Sequence, residues 1–267
     1  MPEGDTIFKL AAYLQPALSG RRLLLGRLRH EPSIDLSGST IEDVYAHGKH
    51  LFIAIEGGDL LRTHLGMWGS WHGYAPGEEW QRPRRQASVV LDVGERIYVC
   101  FNALQVELLR RNGVRARQLG VLLGPDLMQE TTRIKDIVGR ARELCEPSTP
   151  LADLLLNQRV ACGIGNVYKS EVLFVQRCHP ATAMRALDDA ALAALYGQAR
   201  TLLNGNRRDG PRITRRANDD AGNLWVYGRT GQPCHRCDTA IESMRFGRGQ
   251  RSTFWCPRCQ PAGPNVR

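Results

Sequence analysis

The sequence contains no apolar run long enough to cross a bilayer, and its N-terminus has no basic stretch leading into an apolar signal core. The expectation is therefore a soluble, cytoplasmic protein with no membrane partner. Lysine is nearly absent: Lys9, Lys49, Lys135 and Lys169 stand against 32 arginines. Residues 21–110 hold no nucleotide-binding glycine loop. A disulfide framework is missing too. Of eight cysteines, Cys100, Cys145, Cys162 and Cys178 are scattered singly, while the other four form two close pairs near the C-terminus. That distribution fits one metal site in a reducing compartment.

A chain of 267 residues buries a proper core, and its length suggests more than one module. The net charge of +9 is unevenly placed. Residues 200–267 hold 13 Arg against 5 Asp or Glu, a net of +8 that leaves +1 for the rest. Basic residues concentrated on a small module are the usual footprint of phosphate binding, although a charge run also serves as a solvated face.

The chain opens Met1-Pro2-Glu3-Gly4-Asp5. Methionine removal, which a small second residue favours, would leave Pro2 as a free secondary amine. An α-amino group titrates near ~8, so part of it is unprotonated at neutral pH where lysine is not. Ile7, Leu10, Ala11, Leu14 and Leu18 follow at helical spacing, with Asp5 as the expected N-cap. The positive end of that helix then points at Pro2 and disfavours the ammonium form. Glu3 is an adjacent proton carrier, and an amine beside a carboxyl suits imine chemistry on a carbonyl or sugar. The same letters also read as an ordinary start followed by a capped helix.

Residues 21–110 change period. Short apolar or alternating runs at 23–28, 41–45, 51–55, 60–65, 87–93 and 97–101, separated by turn residues, predict a β-sandwich or barrel. In Ala46-His47-Gly48-Lys49-His50, Lys49 sits at a strand end, as a functional cation or as an edge-strand lysine. In His64-Leu65-Gly66-Met67-Trp68, the apolar pair suits a wedge between bases or an ordinary core.

Residues 111–150 lose the strand pattern and read as a polar connection. Helices are predicted from Thr149, as a cap with Pro150 at the first position, and over 167–175 and 188–203. Between the first two, Gly163-Ile164-Gly165-Asn166 forms a turn with Asn166 as the expected N-cap. Such a turn exposes backbone N–H groups to a phosphate or simply joins packed helices. Residues 205–220 read as an exposed connection. Cys234-x2-Cys237 and Cys256-x2-Cys259, separated by 18 residues, predict a four-thiolate structural zinc site. Between the pairs, runs at 241–246 and 251–255 predict a hairpin presenting Arg245, Arg248 and Arg251. Arginines clamped on a rigid hairpin suit phosphate contact.

Five motifs occur together in order: Pro2-Glu3-Gly4, His47-Gly48-Lys49-His50-Leu51, His64-Leu65-Gly66-Met67, Gly163-Ile164-Gly165-Asn166-Val167-Tyr168-Lys169-Ser170-Glu171 and Gln250-Arg251-Ser252-Thr253-Phe254-Trp255-Cys256. With them the whole chain resembles the formamidopyrimidine-DNA glycosylase and endonuclease VIII family. The resemblance implies an α+β multidomain fold. It would comprise an N-terminal helix and catalytic β-sandwich over 1–130, a helical (helix-two-turn-helix) DNA-binding domain over 131–225, and a zinc-ribbon hairpin over 226–267.

The implied function is a bifunctional DNA glycosylase and abasic-site lyase of base-excision repair, acting as a monomer on damaged DNA with one structural zinc. Pro2 would be the nucleophile at C1′, forming a Schiff base, and Glu3 the acid and base. Lys49 would assist β-elimination and Arg251 δ-elimination. His64, Met67, Asn166, Tyr168 and Arg248 would contact DNA, with Met67 filling the gap left by a flipped nucleotide. Thr6 replaces a glutamate that many members carry. Residues 101–105 lack the Asp-Pro-Arg-Arg-Phe-Gly run of the 8-oxoguanine branch, and Leu122 stands where a contacting arginine occurs in others. These departures favour oxidised pyrimidines as substrates over oxidised purines. An idle damage-binding protein and an unrelated zinc-ribbon or RNA-binding protein are the competing readings.

Overall fold

The computed structural model describes residues 2–29, 31, 33–217, 219–247 and 249–263. The chain divides into two compact units, Met1–Val121 and Leu122–Arg267.

The first unit starts with helix α1 (Gly4–Leu18) and continues through strands β1 (Leu25–Leu28), β2 (Ile41–His47), β3 (His50–Ile55), β4 (Asp59–His64), β5 (Ser70–Tyr74), β6 (Ala87–Asp92), β7 (Ile97–Phe101) and β8 (Gln105–Arg110). They form two antiparallel four-stranded sheets, ordered β2-β3-β4-β8 and β1-β6-β7-β5. Ile7, Leu14 and Leu18 of α1 share one core with Leu51, Ile53 and Leu61 of the first sheet and Leu28, Val89, Leu91 and Cys100 of the second. Helix α1 thus buries one apolar stripe, and alternate strand residues supply the remaining walls.

The helix begins two residues earlier than its apolar spacing suggests. Glu3, not Asp5, is the N-cap: its carbonyl accepts from the N–H groups of Thr6 (3.0 Å) and Ile7 (3.1 Å). Glu3 and Thr6 close a reciprocal capping box, the Thr6 hydroxyl accepting from the Glu3 N–H at 3.4 Å. Strands β5 and β8 were not foreseen. Ser-Trp-His-Gly-Tyr carries a glycine at position 73, and pairing with β7 makes it a strand.

The second unit contains α3 (Ile134–Leu144), α4 (Leu151–Leu156), α5 (Asn166–Val175), α6 (Asp189–Asn204), and a hairpin of β9 (Glu242–Phe246) with β10 (Arg251–Trp255); α2 (Val114–Leu122) runs across the division between units. The polar connection expected over 111–150 therefore holds two helices. Ile137, Val138 and Ala141 give α3 a narrow buried stripe hidden among charged residues. Pro150, not Thr149, is the N-cap of α4. The helix expected over 188–203 is α6, and Asp188 is its N-cap, accepting from the Ala191 N–H at 2.8 Å.

Residues 205–220 form the mostly exposed connection expected, but it is pinned at a few buried points. Asn206, Thr214 and Arg215 are buried. The reason lies on α5, where the fully buried Glu171 carboxylate accepts from the backbone N–H groups of Trp225 (2.8 Å), Val226 (2.9 Å) and Tyr227 (2.8 Å) and from the Thr214 hydroxyl. One carboxylate organises a segment whose letters alone read as loop. Among the described residues no helix is long and apolar enough to cross a membrane.

Candidate active site

In the first unit, Pro2 is half-buried and Glu3 wholly buried immediately before α1. Pro2 and a carboxyl thus occupy consecutive positions at the positive end of a helix dipole. Asp5 is also buried, so the first turn presents a dense acidic environment rather than a frayed terminus.

Lys49 lies in the turn between β2 and β3, and His64 at the end of β4 pairs across the sheet with His50. The two imidazoles stand 4.7 Å apart. Beneath them is a residue that the sequence reading passed over. Arg62, almost fully buried, donates to His50 Nδ1 (2.8 Å), Glu107 Oε2 (2.9 Å) and Gln105 Oε1 (2.9 Å). A guanidinium only donates, so His50 Nδ1 must accept and the ring proton sits on Nε2.

Burial, then the charges of Lys49 and Arg62, hold the His64 pKa down to about 4. Burial and the same cationic surroundings, His64 first among them, take His50 to about 3. Both rings are neutral at pH 7. The charge at this strand end is therefore carried by Lys49 and Arg62, and the two imidazoles act as neutral hydrogen-bonding groups. Arginine at position 62 gave a pattern signal only in retrospect: it is a charged residue amid the apolar alternation of Leu60, Leu61 and Leu65.

After His64 the chain turns tightly, and Met67 and Trp68 project at 57% and 74% exposure. Leu104, on the loop between β7 and β8, is 67% exposed, and its N–H donates to the His64 carbonyl at 2.9 Å. The loops touch so closely that a Cβ at Gly66 would lie 2.8 Å from Leu104 Cβ. Three large apolar side chains thus stand in water on adjoining loops, an arrangement that costs solvation unless something covers them. Leu104 was missed because an isolated leucine beside a strand reads as core.

In the second unit, Gly165 caps α5 and Asn166 is its first helical residue, one place later than expected. Asn166 Nδ2 donates to the Ser252 carbonyl at 2.7 Å, joining the start of α5 to β10. Arg245 and Arg251 are exposed on the hairpin. Arg248 lies outside the described residues. Gly247, in the hairpin turn, has φ +71° and packs so tightly on α4 that a Cβ would fall 1.8 Å from Asp153 Oδ1. Only glycine fits there, and the seat fixes the hairpin tip. Tyr168 is fully buried with the Arg212 guanidinium 4.8 Å over its ring, so its side chain does not offer the surface contact expected of it.

The four cysteine Sγ atoms of Cys234, Cys237, Cys256 and Cys259 lie within 4.8 Å of one another. Individual separations are 3.4 Å for Cys237–Cys256, 3.5 Å for Cys237–Cys259 and 3.9 Å for Cys234–Cys259. Tetrahedral zinc with bonds of about 2.3 Å places its sulfurs roughly 3.8 Å apart, so the cluster fits one structural zinc. Four thiolates leave no coordination position for substrate, and the metal's contribution is to hold the hairpin.

Sequence and structure comparisons agree with this layout. A model of the formamidopyrimidine-DNA glycosylase N-terminal domain matches residues 1–105, one of the formamidopyrimidine-DNA glycosylase H2TH domain matches 123–215, and one of the zinc finger found in FPG and IleRS matches 231–262. A probable endonuclease 8 2 of Streptomyces coelicolor is 38% identical, covering 100% of this chain and 96% of the relative. The DNA-(apurinic or apyrimidinic site) lyase Nei2 of Mycolicibacterium smegmatis is 36% identical over 98% and 100%. A formamidopyrimidine-DNA glycosylase of Symbiobacterium thermophilum is 31% identical over 100% and 91%. The crystal structure of Lactococcus lactis formamidopyrimidine-DNA glycosylase non-covalently bound to DNA containing an abasic site superposes with a TM-score of 0.80 at 20% identity, over 97% of this chain and 100% of that one, and shows the same fold.

Proposed function

The chain belongs to the formamidopyrimidine-DNA glycosylase and endonuclease VIII family, and from that premise we propose that its chemistry runs through the secondary amine of Pro2. It is a DNA glycosylase and abasic-site lyase of base-excision repair. The observation that carries the Pro2 reading is the buried Glu3 carboxyl directly beside Pro2 at the start of α1.

With Met1 removed, the unprotonated amine attacks C1′ of a flipped nucleotide. The new N–C1′ bond replaces the bond to the base, which leaves with its electron pair and picks up a proton. Glu3 supplies a proton to the ring oxygen as the sugar opens, and an iminium remains. Loss of a C2′ proton then expels the 3′ phosphate, with Lys49 beside the phosphate. A second elimination expels the 5′ phosphate, with Arg251 as its cation. Asn166, His64 and Arg248 hold the backbone, and Met67, Trp68 and Leu104 fill the gap in the duplex.

Oxidised pyrimidines are the favoured lesions. Supporting this, residues 101–105 carry an apolar Leu104 in place of an Arg- and Phe-bearing run, and an endonuclease 8 2 relative reaches 38% identity against 31% for the formamidopyrimidine-DNA glycosylase. The protein works as a monomer in the cytosol, with the first unit carrying the chemistry and the second the grip on DNA.

Borohydride added during reaction with abasic-site DNA should reduce the iminium to a stable amine and leave a covalent protein–DNA adduct. Pro2→Gly, or an uncleaved N-terminal extension, should lower trapping at least tenfold. Undiminished trapping with a blocked terminus would move the nucleophile elsewhere.

A further inference from the structure

Lys169 is one of only four lysines, and it is wholly buried as the fourth residue of α5. A cation near a helix N-terminus opposes the dipole, and a buried ammonium is costly unless its hydrogens find oxygen. Its three N–H groups meet three oxygens: Asn166 Oδ1 at 2.6 Å, Thr253 Oγ1 at 2.7 Å and the Ser252 carbonyl at 3.2 Å.

The chemistry of these acceptors decides what the lysine does. An ammonium has no lone pair, so Asn166 must turn its carboxamide oxygen toward Lys169 and its NH2 the other way. One N–H of that group goes to the Ser252 carbonyl at 2.7 Å. The Asn166 donor geometry is thereby set by Lys169 and is not a choice between two flipped amides. The Ser252 carbonyl, which accepts from both Asn166 and Lys169, belongs to the residue after Arg251. The start of α5 and the strand carrying Arg251 are one hydrogen-bonded piece with Lys169 at its centre.

Resting on the reading of Asn166 and Arg251 as phosphate-binding groups, we propose that Lys169 is a positioning residue that orients the Asn166 amide and sets Arg251 beside it, so that both address the DNA backbone together. It touches no substrate. Its removal lets the amide flip and the strand slide, weakening backbone binding and the second elimination more than the first covalent step. A purely packing role predicts instead a uniform loss with stability.

The test compares the full-length zinc-loaded protein with Lys169→Met, which keeps the length of the side chain and removes its donors. On abasic-site duplex, Lys169→Met should bind about tenfold more weakly. The share of product that has undergone both eliminations should fall at least threefold, while borohydride trapping at saturating DNA stays within twofold. In an Asn166→Ala background the same substitution should cost clearly less affinity than in the parent, because the part of its effect that passes through that amide is already gone. A folded Lys169→Met protein with parental affinity and product ratio overturns the proposal, as does an undiminished effect in the Asn166→Ala background. Should Lys169→Met not fold, Thr253→Val decides, since it deletes one acceptor and leaves the lysine: a lowered double-elimination share supports the proposal and a parental share overturns it. Absence of Pro2-dependent trapping in the parent would instead defeat the Pro2 reading, a separate result visible before any variant is compared.

Discussion

At the scale of single residues, the exposed apolar trio of Met67, Trp68 and Leu104 shows how far a side chain's meaning depends on its surroundings. Each is an ordinary core residue by type, and each stands largely in solvent. Exposed side chains contribute little to folding, so Leu104→Ala and Trp68→Ala should leave the melting temperature within about 2 °C, consistent with the small effects of surface substitutions. Base excision from duplex DNA should drop at least fivefold, whereas scission of a preformed abasic site, which needs less help to stay unstacked, should change far less. Parallel single-turnover assays on the two substrates measure the difference. The buried neighbours act in the opposite way. Arg62 and His50 are buried and Glu107 half-buried, yet together they fix the ring tautomer and the charge state of the strand end that bears Lys49.

At the scale of elements, the clearest debt is that of residues 213–227 to α5. Glu171 gathers three backbone N–H groups and a hydroxyl on one carboxylate. Glu171→Gln would present an NH2 to some of those donors and leave them unsatisfied, which should cost about 2–4 kcal/mol. Urea unfolding of the zinc-loaded protein measures it. Such dependence also explains what was legible in the letters. The strand runs with alternating apolar residues, the Asp188-capped helix and the paired cysteines declare themselves locally, and the structure contains all three. The helices over 111–150, strands β5 and β8, and the buried points of the segment after 205 depend on partners distant in sequence, and local pattern does not reveal them. The site divides similarly. Pro2, Glu3, Lys49 and Arg251 belong to recognisable motifs, whereas Arg62 and Lys169 matter through contacts, and Tyr168 was misplaced because burial cannot be read from its motif.

At the scale of the molecule, the net charge is concentrated in the second unit. Residues 200–267 carry +8 of the net +9, and the zinc-held hairpin displays Arg245 and Arg251. Affinity for DNA should therefore fall steeply with salt, log K declining by about 0.9 per phosphate contact for each tenfold rise in salt. Stripping the zinc with a chelator should raise the Kd for abasic-site duplex at least tenfold, while circular dichroism retains the strand signal of the first unit. Parental affinity after verified zinc loss would remove the hairpin from the interface. The choice of arginine over lysine on this face has a chemical consequence of its own. An opened abasic site is an aldehyde, and any exposed primary amine held against it competes to form an imine. Guanidinium groups stay protonated and do not. In the second unit the only lysines are Lys135, exposed on α3, and Lys169, sealed inside. On the proposed function, the second unit would thus offer the reactive strand few primary amines to compete with Pro2 for the aldehyde.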